Sequence, residues 1–190
     1  MANYTLVYPP AHNTTYVKAT TKLADGHAEP HFATDPAKSL TGTYVDNCWQ
    51  TVGGGVITNQ RFHIDLGSAK MVRRIYYQNY HHEGGYTTRG AENITFWGSN
   101  TAAAFADLTY ATDTNWTQLG VSQSTFDIHA TADAADPKYI LVGNNKTYRY
   151  YALKIADNYG DGSYLGIRRI SLMTQDGYVP PKGGFLIFMT

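Results

Sequence analysis

Polar and apolar residues alternate from Arg61 to Leu66, and the alternation stops at Gly67. A period of two residues is typical of a half-buried β-strand. Weaker β-like runs occur early in the chain, at residues 4–8 and 16–19, and residues 101–108 suggest a short helical turn. Further strands are predicted where β-favouring residues recur between turns, over 71–78, 93–98, 116–119, 124–128, 139–142, 149–155 and 166–173.

Glycine, proline and asparagine clusters separate these runs, at spacings of about eight to twelve residues. Neither a strand–helix–strand alternation nor an internal repeat is visible in the sequence. Many short strands with regular turns predict an all-β sandwich or barrel.

Composition and charge exclude some classes of binding partner. The 190 residues carry 15 basic and 15 acidic side chains, so the formal net charge is zero. A balanced charge argues against a nucleic-acid partner, which requires a basic face, and against recruitment to an anionic membrane. No apolar stretch is long enough to insert in a membrane, and the first residues show no signal peptide. Cys48 is the single cysteine and is expected to be a buried thiol.

A series of motifs resembles one family. The segments, in chain order, are Phe62–Gly67, Val72–Ile75, Thr88–Arg89, Asn93–Asn100, Trp116–Leu119, Tyr148–Ile155 and Leu165–Leu172. Over about residues 33–173, the set resembles the discoidin domains, also called coagulation-factor type C or galactose-binding-like domains. The resemblance implies a jelly-roll β-sandwich of eight strands whose end loops bind ligands.

The resemblance divides the chain into three parts. Residues 1–30 are expected to be an N-terminal extension, residues 31–175 the discoidin-like sandwich, and residues 176–190 a linker with an apolar tail. The tail contains Phe185–Met189, and apolar side chains gain free energy when buried. We therefore predict that it packs on another subunit or a larger assembly, giving a homo-oligomer or an assembly component. A ninth strand on the domain's own sheet is the alternative.

Relatives of this family bind sugars, lipid head groups or proteins, so the class of ligand has to be inferred from the residues of the loops. Two glycine-rich loops, 79–90 and 156–164, contain aromatic, amide, imidazole and guanidinium groups. Aromatic rings stack on the apolar face of a sugar, and the polar groups bind its hydroxyls. We expect both loops to lie at one end of the sandwich and to form a glycan site. The candidate residues are Tyr80, His81, His82, Arg89, Asp157, Asn158 and Tyr159, with Trp49 as a further stacking platform.

Roles for four of these residues follow from the family by position. His82, Arg89, Asn158 and Tyr159 match the histidine, arginine, asparagine and aromatic residue of sugar-binding relatives. Arg89 would bind two adjacent hydroxyls, or it would form a structural salt bridge that ties its loop. Tyr159 would stack on the sugar, or it would pack against the last loop.

The family often holds a structural calcium ion near the start of the domain. The matching oxygen ligands here would be Asp35 and Thr41. The closing glutamate of the family is replaced by Arg169, which cannot ligate a cation and could pair with Asp35 instead. We therefore expect no cofactor and treat calcium as the alternative.

Enzyme motifs are not apparent. His81-His82 and His27-x-x-x-His31 lack metal-site geometry, and no Gly-x-Ser-x-Gly elbow occurs. The sequence thus predicts a lectin-like adhesion module rather than an enzyme. The alternatives are a decoration or attachment protein of a phage-like particle and an accessory domain cut from a glycoside hydrolase. Met1 and the small size led us to expect a complete chain. The virion surface or the extracellular space would suit such a module, but the sequence does not determine its localisation.

Overall fold

A computed structural model describes residues 2–179. Its strands are β1 (Tyr4–Val7), β2 (Val17–Ala19), β3 (Trp49–Gln50), β4 (Gln60–Lys70), β5 (Val72–Asn79), β6 (Ile94–Ser99), β7 (Thr117–Val121), β8 (Lys138–Gly143), β9 (Tyr148–Ile155) and β10 (Gly166–Gln175). One α-helix, α1 (Ala102–Ala106), and two 3₁₀ helices, Pro30–Thr34 and Thr87–Arg89, complete the described elements.

The strands form two antiparallel layers. The front sheet has the order β2-β4-β9-β6-β7, and the back sheet has the order β1-β10-β5-β8, with β3 paired to the start of β10. A short pairing of β7 with β8 joins the two sheets at one edge. Phe62 and Leu153 of the front sheet share one core with Ile75, Ile170 and Leu172 of the back sheet. The predicted all-β class is confirmed.

The predicted boundary at residue 31 needs correction. Tyr4–Val7 pairs with β10, and Val17–Ala19 pairs with β4, so the described part of this segment, residues 2–30, contributes an edge strand to each sheet. Val17 is fully buried in the core. The segment was set apart because it carries no family motif, although it belongs to the sandwich.

Strand β4 is buried on both faces, which the alternating pattern did not predict. Arg61 and His63 on its polar face have no exposed surface, and Asp65 is 5% exposed. Carbonyl groups of the segment after α1 accept hydrogen bonds from the Arg61 guanidinium. The Arg149 side chain forms an ion pair with Asp65 through two hydrogen bonds of 2.8 and 2.9 Å. A covering loop that supplies acceptors lets charged residues lie inside.

Residues 124–128 do not form the predicted strand. The segment crosses between the sheets and is tied by backbone hydrogen bonds to Glu92 and Ile94. Its apolar residue Phe126 is fully buried and stacks on Tyr77 at a centroid distance of 4.1 Å. The apolar pattern therefore indicated a buried segment, which pairs only through an isolated antiparallel bridge between Asn93 and Thr125 and not as a strand.

Cys48 is fully buried, and burial raises the pKa of its thiol to about 12. The expected burial of this thiol is confirmed. The apolar tail Phe185–Met189 lies outside the described residues, so its packing and the oligomeric state stay predictions.

The topology brings two loops together. β5 ends at Asn79 and β10 begins at Gly166, and Ile167 pairs with Asn79 across the sheet. The loop after β5 then returns beside β10, where Gly90 bridges Gly166, and Ala91 bridges Asn158 of the loop after β9. Loops 79–90 and 156–164 consequently lie at the same end of the sandwich, as predicted.

Candidate functional site

The loop after β5 begins with a tight hairpin. His82 and Gly85 exchange backbone hydrogen bonds of 3.0 and 2.8 Å, and Glu83 and Gly84 between them have φ angles of 51° and 76°. Two consecutive left-handed residues make a two-residue turn of the kind that favours glycine. A Cβ on Gly84 would lie 2.6 Å from the backbone nitrogen of Asp133, so the position also lacks space. The hairpin fixes where His82 emerges.

Tyr86 follows in a strained conformation. Its φ of 55° and ψ of 29° are left-handed, and its side chain is 58% exposed. A left-handed non-glycine residue costs about 1–2 kcal/mol, and such strain clusters at binding sites. The ring of His82 lies 5.7 Å from that of Tyr86 and 5.3 Å from that of Tyr44. Three rings thus line one wall.

Arg89 lies between two tyrosine rings. Its guanidinium carbon is 4.5 Å from the centroid of Tyr86 and 4.6 Å from that of Tyr164. Its Nε lies 3.3 Å from Asp161 Oδ2, and both side chains are largely buried. Within residues 2–179, neither Nη group of Arg89 bonds a carboxylate. The ion pair and the stacking therefore hold the guanidinium in one orientation.

Asp161 is itself held by its own loop. Burial opposes its ionisation, but backbone N–H groups of Tyr164 and Ser163, each 2.9 Å from Oδ1, together with Arg89, hold the pKa of Asp161 below its ordinary value. The carboxylate stays ionised and keeps Arg89 in place. Arg89 thus fills the structural role considered from the sequence, and it also lines an open cleft.

That cleft has a volume of about 250 Å³ and is called the loop cleft below. It combines aromatic rings, an imidazole, an amide and a guanidinium. It is lined by Leu23, Tyr44, Gln50, His82, Tyr86, Arg89 and Tyr164.

Three predicted ligand residues are buried elsewhere. Trp49 has no exposed surface, and its Nε1 donates to Thr21 O at 2.9 Å. Tyr80 is also fully buried, in a small cluster with Cys48. His81 donates from Nε2 to Leu40 O at 2.8 Å and stacks on a second histidine, so both its faces and edges are used. None of the three can contact a ligand without unfolding its surroundings.

Three other predicted residues hold loops in place. The Asp157 carboxylate accepts from the backbone and side-chain nitrogens of Asn93 at 3.0 and 2.9 Å. Asn158 is 6% exposed and donates from Nδ2 to the carbonyls of Asp161 and Tyr164. The Tyr159 hydroxyl donates to Phe126 O, so this side chain is held against the 124–128 segment and not against the last loop as the alternative predicted. These three residues do not line the loop cleft.

Of the predicted residues, His82 and Arg89 line the cleft. Tyr86 and Tyr164 belong to the two predicted loops, 79–90 and 156–164, but neither was assigned a role from the sequence. Tyr86 was detectable as a large aromatic residue directly after Gly84-Gly85. Tyr44 and Gln50 carried no local signal, because they reach the cleft only through the path of the chain between β2 and β4.

The proposed calcium ligands do not form a cation site. Asp35 Oδ1 accepts from the Ala37 backbone at 2.9 Å, and the carbonyl of Thr41 accepts from Arg168. Arg168 is fully buried and also donates to Gly42 O at 3.2 Å and Thr43 O at 2.9 Å. In residues 2–179, no group of three or more His, Cys, Asp or Glu side chains converges. The carbonyls of residues 41–43 already bond a guanidinium, which argues against calcium there, and the expectation of no cofactor stays a prediction.

The expected pairing of Arg169 with Asp35 is wrong. Arg169 Nη2 donates to Lys38 O at 2.6 Å, and no ion pair joins it to Asp35. The neighbouring residue, Arg168, binds the loop instead. Arg169 is on the outward-facing register of β10, which places its side chain on the opposite face of the back sheet from the core.

Comparisons place the chain among known folds. Residues 38–174 match the family DUF5000, described as a domain of unknown function. No curated protein matches the chain. Within the described residues, no helix has the length and apolar character needed to cross a membrane.

Solved structures share the fold at low identity. The module CBM32-5 of CpGH89 from Clostridium perfringens, in complex with GalNAc-β-1,3-galactose, has a TM-score of 0.57 at 14% identity, covering 82% of this chain and 92% of its own. The family 32 CBM of NanJ from C. perfringens, in complex with galactose, has a TM-score of 0.59 at 14% identity, with 90% and 100% covered. Chitosan-binding module 1 of a chitosanase/glucanase from Paenibacillus sp. IK-5 has a TM-score of 0.53 at 18% identity, with 82% and 92% covered. The predicted galactose-binding-like β-sandwich is confirmed as the fold.

Proposed function

This chain belongs to the DUF5000 family, and we propose that it is a carbohydrate-binding module whose ligand occupies the loop cleft. The observation that carries the proposal is the fixed guanidinium of Arg89, which lies between two tyrosine rings at the wall of an open cleft.

The cleft has the chemistry that a sugar requires. A pyranose has an apolar C–H face and a rim of hydroxyls, so it needs an aromatic platform and fixed polar groups. The exposed ring of Tyr86 would stack on the sugar face. Arg89 would donate from its Nη groups to two adjacent hydroxyls, and the His82 imidazole would bond a third.

Preorganisation supports affinity in a site this small. Arg89 is held by Asp161 and by two rings before any ligand arrives, so little side-chain entropy remains to be lost on binding. A cleft of about 250 Å³ suits one terminal sugar ring better than an extended chain. The structural neighbours solved with sugars support the ligand class, and the cleft residues would decide which sugar is bound.

We also propose that the module binds without catalysis. Hydrolysis of a glycosidic bond needs two facing carboxyl groups. Among the described residues that line the loop cleft, none is acidic, and the nearby Asp161 is committed to Arg89 and its own backbone. A lectin-like role in attaching the chain to a glycan-bearing surface would follow. Its use in a phage-like particle remains the alternative hypothesis.

A glycan array tests the proposal. The wild-type protein is compared with Tyr86→Ala, which removes the stacking ring, and with Arg89→Lys, which keeps the charge but loses the two-pronged geometry. Each is expected to reduce binding of the preferred sugar at least tenfold. Ile128→Ala is the control, because Ile128 is 40% exposed and does not line the loop cleft.

Thermal melting of each variant separates lost binding from lost folding. If both cleft variants bind as the wild type does, or if no glycan binds at all, the proposal fails.

A further inference from the structure

The back sheet has an outer face rich in tyrosine. Alternate residues of β1, β10, β5 and β8 point away from the core, and cross-strand pairing puts Leu6 beside Met173, Met173 beside Arg74, and Arg74 beside Leu141. The next row contains Ser171, Tyr76 and Tyr139. This surface, called the tyrosine face, comprises Tyr4, Leu6, Tyr8, Arg74, Tyr76, Tyr139, Leu141, Arg169, Ser171 and Met173.

Much of this face is exposed apolar surface. Leu6, Tyr139 and Leu141 are 41%, 45% and 51% exposed. A cleft of about 290 Å³ opens on it, lined by Leu6, Tyr8, Tyr76, Tyr139, Arg169, Ser171 and Met173. The ring of Tyr76 meets that of Tyr139 edge to face at 5.5 Å, so the aromatic wall is ordered.

Two arginines on this face lack a directly paired carboxylate among the described residues, and Asp35 acts on Arg169 only electrostatically, without forming an ion pair. Arg169 lines the cleft, is only 5% exposed, and has a buried Nε without a hydrogen-bond partner. Arg74 lies 3.7 Å from the Tyr139 ring and 4.8 Å from the Tyr4 ring, and its buried Nε is also unpartnered. Within residues 2–179, neither forms a salt bridge, although six other lysine or arginine side chains do.

Uncompensated buried charge is unfavourable and is normally paired. Burial lowers the pKa of Arg169, and an anion in the cleft would oppose that shift. Serine and tyrosine hydroxyls beside the guanidinium would suit further oxygens of a ligand.

We propose that the tyrosine face is a second binding site, for a sugar unit that carries a carboxylate, such as a uronic acid of an acidic polysaccharide. The carboxylate would pair with Arg169 and Arg74 at the cleft, and the sugar ring would lie on Tyr139 and Tyr76. This site is separate from the loop cleft and does not depend on sugar binding there. A module with both sites would bind acidic and neutral parts of one glycan, which raises affinity through two linked contacts.

Calorimetric titration with trigalacturonic acid tests the site directly. Wild-type protein is expected to bind it with a Kd below 10 mM, and raising NaCl from about 50 to 300 mM is expected to weaken binding severalfold because salt screens the charge pairing. Tyr139→Ala and Arg74→Gln each are expected to weaken binding at least fivefold. Arg169→Met is the third variant, used if its melting temperature shows that it folds.

Matched ligands and variants separate this site from the loop cleft. Binding of a neutral galactose trisaccharide is expected to be unchanged by Tyr139→Ala. Binding of trigalacturonate is expected to be unchanged by Tyr86→Ala. A sulfated trisaccharide tests whether any anion suffices.

The proposal is overturned if wild-type protein does not bind trigalacturonate, if Tyr139→Ala and Arg74→Gln do not affect it, or if the neutral or sulfated ligand binds this face equally well. Failure of the loop-cleft proposal would appear instead as absent neutral-sugar binding that leaves these results unchanged.

Discussion

Replacing Arg168 by methionine tests how the loop that precedes β3 is held. Arg168 has no exposed surface and donates to the carbonyls of Thr41, Gly42, Thr43 and His81. Methionine preserves much of the volume but removes all of these bonds. The carbonyls of residues 41–43 each keep one other donor, whereas the His81 carbonyl is left without a donor among the described residues. The same substitution also removes the cost of burying a charge, which offsets part of the loss.

The carbonyls of residues 41–43 are partly accessible and can regain water, whereas the His81 carbonyl bond is buried. A buried acceptor left without a hydrogen bond lowers the free energy of unfolding by about 1–3 kcal/mol. Exchanging a hydrogen bond from Arg168 for one from water lowers it by about 0.5–1.5 kcal/mol. After the offset, we expect a net loss of about 3 kcal/mol. For a chain of 190 residues, this corresponds to a drop in Tm of roughly 6–12 °C.

Urea unfolding followed by far-ultraviolet circular dichroism measures the free energy of unfolding for this variant. Arg168→Lys should recover part of the loss, because an ammonium can reach some of the carbonyls but not all. Arg74→Met is the control, since the Arg74 side chain stacks on rings and makes no hydrogen bond within residues 2–179. Its free energy of unfolding should fall by less than about 1 kcal/mol. An Arg168→Met variant as stable as the control would refute the assignment of Arg168 as the residue that holds this loop.

Other expectations concern ions, pH and the hairpin. Calcium or chelator should leave Tm unchanged, because Arg168 already bonds the carbonyls of residues 41–43; a Tm that falls in chelator and returns with calcium would contradict this. Burial lowers the pKa of His63 from 6.5 to about 4. Between pH 7 and 5, the His63 imidazole therefore takes up a proton only in the unfolded chain. Over this range the free energy of unfolding, measured in urea, should fall by about 2 kcal/mol more for the wild type than for His63→Asn; equal falls would contradict the prediction. Gly84→Ala should destabilise by at least about 1 kcal/mol and weaken glycan binding, as checked by melting and calorimetry, because its φ is 76° and Asp133 leaves no room; a neutral substitution would be evidence against the turn.

The strands were predicted well where β-favouring residues alternate with polar ones and one face of the strand packs on the core. Residues 61–66, 149–155 and 166–173 all lie within observed strands. It did not predict that Arg61 and His63 would be buried, because the covering segment is distant in sequence. Local alternation reports which face is apolar, and it cannot report what covers the polar face.

The site was predicted at the level of loops and less well at the level of residues. The glycine clusters located both loops, and Arg89 and His82 line the cleft. Trp49 and His81 have side chains that suit sugar binding, but the chain packs them inside. Residue type alone does not distinguish a recognition aromatic from a core aromatic, since both bury a ring and bond their polar atom.

The central claim is that the loop cleft binds a sugar through Tyr86 and Arg89. Chemical-shift mapping of ¹⁵N-labelled protein, titrated with the neutral glycan that binds best on the array, tests it most directly. We expect the saturating shifts to concentrate at residues 82–89 and 161–164 and at Tyr44, with little change on the outer face of the back sheet. Shifts that avoid these residues and concentrate elsewhere on the domain would contradict the claim.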